Sequence, residues 1–323
     1  MALVGIARLA SQSELLEAKR TVQYFEIPAR SILNRTKPGM PFQWTINPYR
    51  GCEFACKYCY ARYTHEFMEL RDGAEFEKKI YVKQHTAELL RHDLRRVKPG
   101  EPIALGTATD PYQPAERRYE VTRGILEEFA RHRGFELGIV SKSNLILRDI
   151  DLLREVARSN ALSIHITVTT MNVELARILE PRAPRPDLRM DAVRQLSEAG
   201  INVGVSSSPV LPGITDAPPD LEAVVRAAAE AGARHIFAGP LFLKPCSAAI
   251  FLPFLGEHFP HLVENYRQRY QDRSFLPASY GKRITQLITR FRQKYGIQRN
   301  DPRGAEYANK WPMQALDEQL TLF

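Results

Sequence analysis

The stretch QWTINPYRGCEFACKYCYARYTHEF, residues 43–67, holds three of the chain's four cysteines within the eight residues Cys52 to Cys59, beside Tyr49, Tyr58, Tyr60 and Tyr63. Its first part, QWTINPYRG, reads as a short buried strand. The second part has the spacing Cys-x3-Cys-x2-Cys, which packing does not require. Three thiolates on one short loop can wrap one corner of a cube-shaped iron–sulfur cluster, and because such clusters usually take four, three leave one iron open for chemistry. On the residues alone, two alternatives remain: a zinc site completed by His65, and three unrelated buried thiols.

Working outward, five more apolar runs suit buried parallel strands: PIALGTA (102–108), FELGIVSKS (135–143), SIHITVTT (163–170), INVGVSSSPV (201–210) and RHIFAGPLFL (234–243). Between them lie helical patterns near 85–97, 119–132, 148–158, 173–199 and 218–231. Gly200 and Gly232 are placed to end the last two, and Asp220 to cap the start of the second. Six strands alternating with helices predict a parallel α/β fold. A closed eight-fold barrel needs two more units, which the sequence after 245 does not supply, so a partial (β/α)6 TIM-type barrel is expected. We place it at 42–250, after an N-terminal extension (1–41) and before a basic, mainly helical region (251–318). Polar residues at the C-terminal strand ends are where a site belongs.

The 323 residues are 44% hydrophobic and 25% charged, ordinary for a globular protein, and their net charge of +8 favours polyanionic partners. Residues 263–303 concentrate that charge, with ten Lys or Arg against three acids, interleaved with Tyr266, Tyr270, Phe275, Tyr280, Phe291 and Tyr295. In KRITQLITRFRQKY, Ile284, Leu287, Ile288, Phe291 and Tyr295 share one helical face and the bases the other. This segment is expected to bind a phosphate backbone, with bases stacked on exposed tyrosines. The start of the chain lacks a basic region followed by a sustained apolar run, and no stretch is long enough to span a membrane. Clustered cysteines do not make a disulfide framework. A cytoplasmic protein with reduced thiols and no membrane contact is expected.

The cysteine loop, with Tyr58 just before its third cysteine, resembles that of the radical S-adenosylmethionine (radical SAM) superfamily, and residues 42–245 resemble its partial barrel. The resemblance implies a 4Fe–4S cluster on Cys52, Cys56 and Cys59 whose unique iron chelates SAM. A flavodoxin- or ferredoxin-type reductant would supply the electron that cleaves SAM to a 5′-deoxyadenosyl radical, which abstracts a substrate hydrogen. Strand-end residues fit a SAM pocket: Gly106 for close backbone approach, Thr107, Thr109 and Asp110 as acceptors for the ammonium, Ser141 and Lys142 after the third strand, and Thr167 and Thr169 toward the ribose.

TDPYQPAE, SKSNLILRDIDLL and LEPRAPRPDLRMDAVRQLSEAG are similar to the spore photoproduct lyase-like subgroup. That likeness implies Tyr58 and Tyr60 at the SAM site, Tyr60 as a candidate catalytic residue, and Lys142 on the SAM carboxylate. The subgroup also uses a further cysteine as hydrogen donor to the product radical. None stands here at comparable spacing, and Cys246 is the candidate. The expected reaction is hydrogen abstraction on nucleic acid, in DNA repair or modification. The alternatives are a radical SAM enzyme acting on a peptide, RNA or small metabolite, and a noncatalytic iron–sulfur adaptor.

The final QLTLF resembles the peptide by which bacterial polymerases and repair factors dock on the sliding clamp. Leu320, Leu322 and Phe323 would fill an apolar pocket while Gln319 sets register.

Overall fold

The strands follow in the order β1 (Glu14–Ala18), β2 (Gln23–Ile27), β3 (Leu33–Arg35), β4 (Trp44–Ile46), β5 (Tyr49–Arg50), β6 (Lys79–Lys83), β7 (Ile103–Leu105), β8 (Glu136–Ser141), β9 (Ala161–Thr167), β10 (Val203–Val210) and β11 (Ile236–Pro240), those of the barrel drawn from short apolar runs. The structure is a computed structural model that describes residues 3–19 and 21–297. The QLTLF segment lies outside them.

Two sheets result. The larger has the order β11-β10-β9-β8-β7-β4-β3, and its first six strands run parallel while β3 lies antiparallel to β4 at the edge. These six are the strands expected from the sequence. They do not close on themselves, as a partial barrel requires. The smaller sheet, β1-β2-β6-β5, takes two strands from the N-terminal region and two from segments flanking the cysteine loop. Residues before 42 are thus woven into both sheets.

One face of the large sheet, with Leu105, Ile139, Ile164, Val205 and Ile236, packs in a single apolar core with the helices Val121–Ala130, Pro186–Glu198, Pro218–Glu230 and Ala278–Lys294. Full burial of such side chains contributes about 1.5–3 kcal/mol each. The last helix contributes Ile284, Ile288 and Phe291 to this core, as its periodicity predicts. Its exposed bases partly pair with barrel acids, Arg283 with Asp216 (2.7 Å) and Lys294 with Glu222 (2.5 Å).

Two expectations need correction. The helix expected over 173–199 is two helices, Val173–Leu179 and Pro186–Glu198, because Pro181, Pro184 and Pro186 interrupt the pattern. The helix after β10 starts at Pro218 rather than at an Asp220 cap, since a proline is well tolerated in a first turn.

Candidate active site

Directly after β5 the chain turns into the cysteine loop. Gly51 has φ 83°, and a Cβ there would meet Lys79 O at 2.6 Å and Phe76 O at 2.8 Å, so no other residue fits. Its carbonyl accepts from Thr109 Oγ1 (2.6 Å) and Gln113 Nε2 (3.1 Å). Within the loop Ala55 takes a left-handed conformation (φ 57°), which is uncommon for a residue with a Cβ and turns the chain between the first two cysteines. Several segments clamp the rest. Lys57 N donates to Leu179 O (2.9 Å), and Arg182 N to Phe54 O (3.3 Å). Buried Arg62 reaches Cys56 O (2.9 Å), Gly73 O (2.6 Å) and the Glu77 carboxylate (2.5 Å), while Ser247 Oγ donates to Cys59 O (2.8 Å).

All four cysteines are free thiols. Burial raises the pKa of Cys52, Cys56 and Cys59, with Cys56 pushed up to about 12 although Lys142 draws it down. Arg62 and Lys142 likewise favour the Cys59 thiolate. Among the described residues no three His, Cys, Asp or Glu side chains are spaced to hold a single ion. His65 Nε2 lies 3.0 Å from Lys79 O, and its ring packs edge-on to Phe76 and Tyr81. Among the described residues it forms no group with the cysteines that could hold one ion, which speaks against the zinc alternative. Thiolates on a cluster bind different irons and stand farther apart than the ligands of one ion. A sulfur-only donor set on one clamped loop, with two cations beside it to offset negative charge, fits that group.

The strand ends meet this loop from below. Gly106 (φ 92°) is required because a Cβ would meet Val140 O at 2.6 Å and Pro111 Cδ at 2.6 Å; the close approach it permits is to protein. Tyr60 donates its hydroxyl to Thr107 O, and Thr107 Oγ1 meets Asn47 Nδ2 at 3.2 Å. Thr109 Oγ1 lies against Gly51 O and Gln113. Asp110 accepts from Tyr112 N (2.9 Å), Ser141 Oγ (2.8 Å) and Lys142 N (2.7 Å), fastening the ends of β7 and β8 together. The Lys142 ammonium stands 5.8 Å from the centre of the Tyr58 ring. Burial works against its charge, yet Cys56 and Glu180 more than compensate and raise its pKa.

Beneath Tyr58 lies an ion pair that sequence reasoning missed. Glu180 and Arg189, each about 1% exposed, meet at 2.5 Å. Tyr58 donates its hydroxyl to Glu180, Thr169 Oγ1 adds a bond at 3.3 Å, and Arg189 reaches Thr167 O (3.1 Å) and Pro184 O (2.7 Å). Thr169 thus pairs with Glu180, and the Thr167 carbonyl holds Arg189. Burial opposes the Glu180 charge, but Arg189 and Lys142 outweigh it and keep the carboxylate below its usual pKa. Both residues fall in LEPRAPRPDLR, a proline-rich, charged stretch that carries no local signal of burial.

Cys246 lies in the first turn of the helix Pro245–His258, next to the Ser247 that holds the cysteine loop. Burial raises its pKa, and its charged neighbours are Glu66 and Lys244. The C-terminal tyrosines are not the exposed platforms expected. Tyr266 is buried and donates to Pro212 O, and Tyr270, Tyr280 and Tyr295 are half-buried with hydroxyls on Leu241 O, Asp216 and Glu222. Their rings complete the apolar side of these helices, so base stacking falls away for them. The exposed bases Arg267, Arg273, Lys282 and Arg290 remain.

A family profile, the radical SAM superfamily, matches residues 46–234, more than half of the chain. An uncharacterised protein of Mycobacterium tuberculosis is 36% identical over 278 residues, covering 84% of this chain and 82% of its own. One from Methanocaldococcus jannaschii is 31% identical over 196 residues, covering 60% and 70%. Among solved structures, spore photoproduct lyase complexed with dinucleoside spore photoproduct aligns with a TM-score of 0.62 at 14% identity, covering 84% of this chain and 79% of that one. At that identity the likeness concerns the fold.

Proposed function

The chain belongs to the radical SAM superfamily and is a radical SAM enzyme, and on that premise we propose that Cys52, Cys56 and Cys59 hold a 4Fe–4S cluster that works on a nucleic-acid substrate. The observation that carries the cluster is three free thiols on one clamped loop, with Lys142 and Arg62 acting on them. When bound, the reduced cluster supplies the electron that splits the SAM sulfonium and yields a 5′-deoxyadenosyl radical. The chain's own residues do the rest. Lys142 offers a buried ammonium for the SAM carboxylate. Gly106 and Asp110 fix the strand ends around it. Glu180 and Arg189 lock Tyr58, so that the ring facing Lys142 does not move. Four free thiols suit a reducing compartment such as the cytoplasm. Among the described residues no helix is long and apolar enough to cross a membrane.

For the substrate, the supporting observations are the net charge of +8 and the exposed bases of the C-terminal helices. The solved spore photoproduct lyase, bound to a dinucleoside, shares the fold. Family membership favours the enzyme over the noncatalytic adaptor. The test is anaerobic turnover with uniformly deuterated DNA. Deuterium in 5′-deoxyadenosine is the expected result; 5′-deoxyadenosine that stays unlabelled while SAM is cleaved would assign the enzyme to another substrate class.

A further inference from the structure

The small sheet presents a second charged feature to the cysteine loop. Arg50, the residue before Gly51, pairs across the sheet with Tyr81, and Lys83 lies two residues further along the same strand. Side chains alternate along a strand, so Arg50, Tyr81 and Lys83 share one face, with the two cations as diagonal neighbours. The opposite face, with Tyr49 and Val82, is in the core. Helix Tyr63–Glu66 walls the cationic face, held there by His65 on Lys79 O. Burial raises the Tyr63 phenol to about 12, Cys246 and Cys59 push it the same way, and Arg50 draws it down. The buried Lys244 ammonium stands 4.7 Å from the Tyr63 ring centre and 5.5 Å from that of Phe242.

Like Lys142, Arg50 and Lys83 meet no anion among the described residues, whereas Arg62 meets Glu77, Lys79 meets Glu75 and Arg189 meets Glu180. Among the described residues no ion pair or side-chain hydrogen bond reaches Arg50 or Lys83, although both are only partly exposed. Burial and then the like charge of Arg50 draw Lys83 down to about 7. Two adjacent cations without a counter-charge destabilise the ligand-free protein, and such pairs are found where a ligand brings the charge.

We propose that Arg50 and Lys83, beside Tyr63, receive a phosphate group of the substrate and hold it next to the cysteine loop. A guanidinium fork matches two phosphate oxygens, and an ammonium can take a third. The placement has a functional consequence: on this reading the backbone of a nucleic-acid strand is anchored on the Tyr63 side while the site meets the sugar or base. The proposal deepens the nucleic-acid reading and rests on it for the source of the phosphate.

The test uses the full-length, anaerobically reconstituted protein with Lys83→Met, Arg50→Gln and the charge-preserving Lys83→Arg. Two quantities are read: anisotropy titration of a labelled single-stranded deoxyoligonucleotide, and the shift in melting temperature caused by inorganic phosphate against chloride at matched ionic strength. Lys83→Met and Arg50→Gln are expected to weaken oligonucleotide binding about ten- to a hundredfold, the worth of a charge-assisted hydrogen bond, and to abolish the phosphate-induced shift. Lys83→Arg is expected to keep most of both. Ligand-free Lys83→Met should melt no lower than the parent, because it loses an uncompensated charge, whereas a merely structural lysine would lower it. Unchanged oligonucleotide and phosphate binding in both neutral variants would overturn the site while leaving the nucleic-acid reading intact. A phosphate shift that depends on Arg50 and Lys83, in a protein that binds no oligonucleotide, would uphold the site and overturn the nucleic-acid source.

Discussion

Lys142 and the Glu180–Arg189 pair carry opposite lessons about single residues. Lys142 is legible in the sequence because a lysine that ends an apolar run must emerge at a strand end, where α/β enzymes build their sites. Its replacement by Ala is expected to weaken SAM binding by about 1.5–3 kcal/mol without altering the cluster's absorption spectrum; unaltered SAM affinity, measured by equilibrium dialysis, would remove it from the site. Glu180 and Arg189 are not legible, because an acid and a base in a proline-rich, highly charged stretch look like any solvated turn. What defines them is burial to about 1% exposure, a tertiary fact. Glu180→Gln leaves Arg189 buried without its counter-charge and is expected to cost about 3–5 kcal/mol in urea unfolding. The double change Glu180→Leu with Arg189→Leu should cost less than the sum of the two single changes. Additive losses would mean that the pair does not act as a unit.

Among the elements, strands proved easier to read than helices. All six parallel strands sit within the short apolar runs that placed them, and β4 and β7 are buried at every position, which leaves such strands little choice of composition. The helix pattern over 173–199 misled because periodicity continues through LEPRAPRP while three prolines break the backbone hydrogen-bond ladder. Residues 14–27 form the hairpin β1–β2, and it was unreadable because the strand that joins it to a sheet, β6 against β2, lies beyond the cysteine loop. The strand faces also set a pH dependence. On β9, His165 packs against His235 (ring centres 4.6 Å apart) and Phe237 (5.3 Å). Burial, then the neighbouring imidazole, hold His165 at about 3 against 6.5 in an open chain. Below pH 6.5 the unfolded chain takes up a proton that the folded one refuses, so this contribution to stability is present above 6.5 and declines as pH falls toward 3. Melting temperatures between pH 7 and 5 should therefore fall less steeply in His165→Asn than in the parent. Parallel slopes would show that His165 does not drive the loss.

At the scale of the whole molecule, one partial barrel brings the cysteine loop and the strand ends together, and the proposed nucleic-acid substrate would add a contact to the exposed bases of the C-terminal helices. DNA affinity is expected to fall steeply with salt, because every phosphate neutralised releases counterions; an affinity insensitive to salt would contradict a basic binding face. The QLTLF segment is proposed to dock a bacterial sliding clamp, adding local concentration but no base recognition. Deleting residues 319–323 should abolish clamp binding in a pull-down while leaving SAM cleavage and naked-DNA affinity nearly unchanged, and equal clamp binding with and without them would contradict the docking. The central claim is that three cysteines, and not four, hold a cluster that cleaves SAM. It is tested most directly by iron content and 5′-deoxyadenosine formation in anaerobically reconstituted, dithionite-reduced protein. The account predicts about four irons per chain and SAM-dependent 5′-deoxyadenosine in the parent and iron retained in Cys246→Ala, with both lost in Cys52→Ala, Cys56→Ala and Cys59→Ala. A Cys246→Ala protein without its cluster, or a Cys56→Ala protein that still makes 5′-deoxyadenosine, would contradict it.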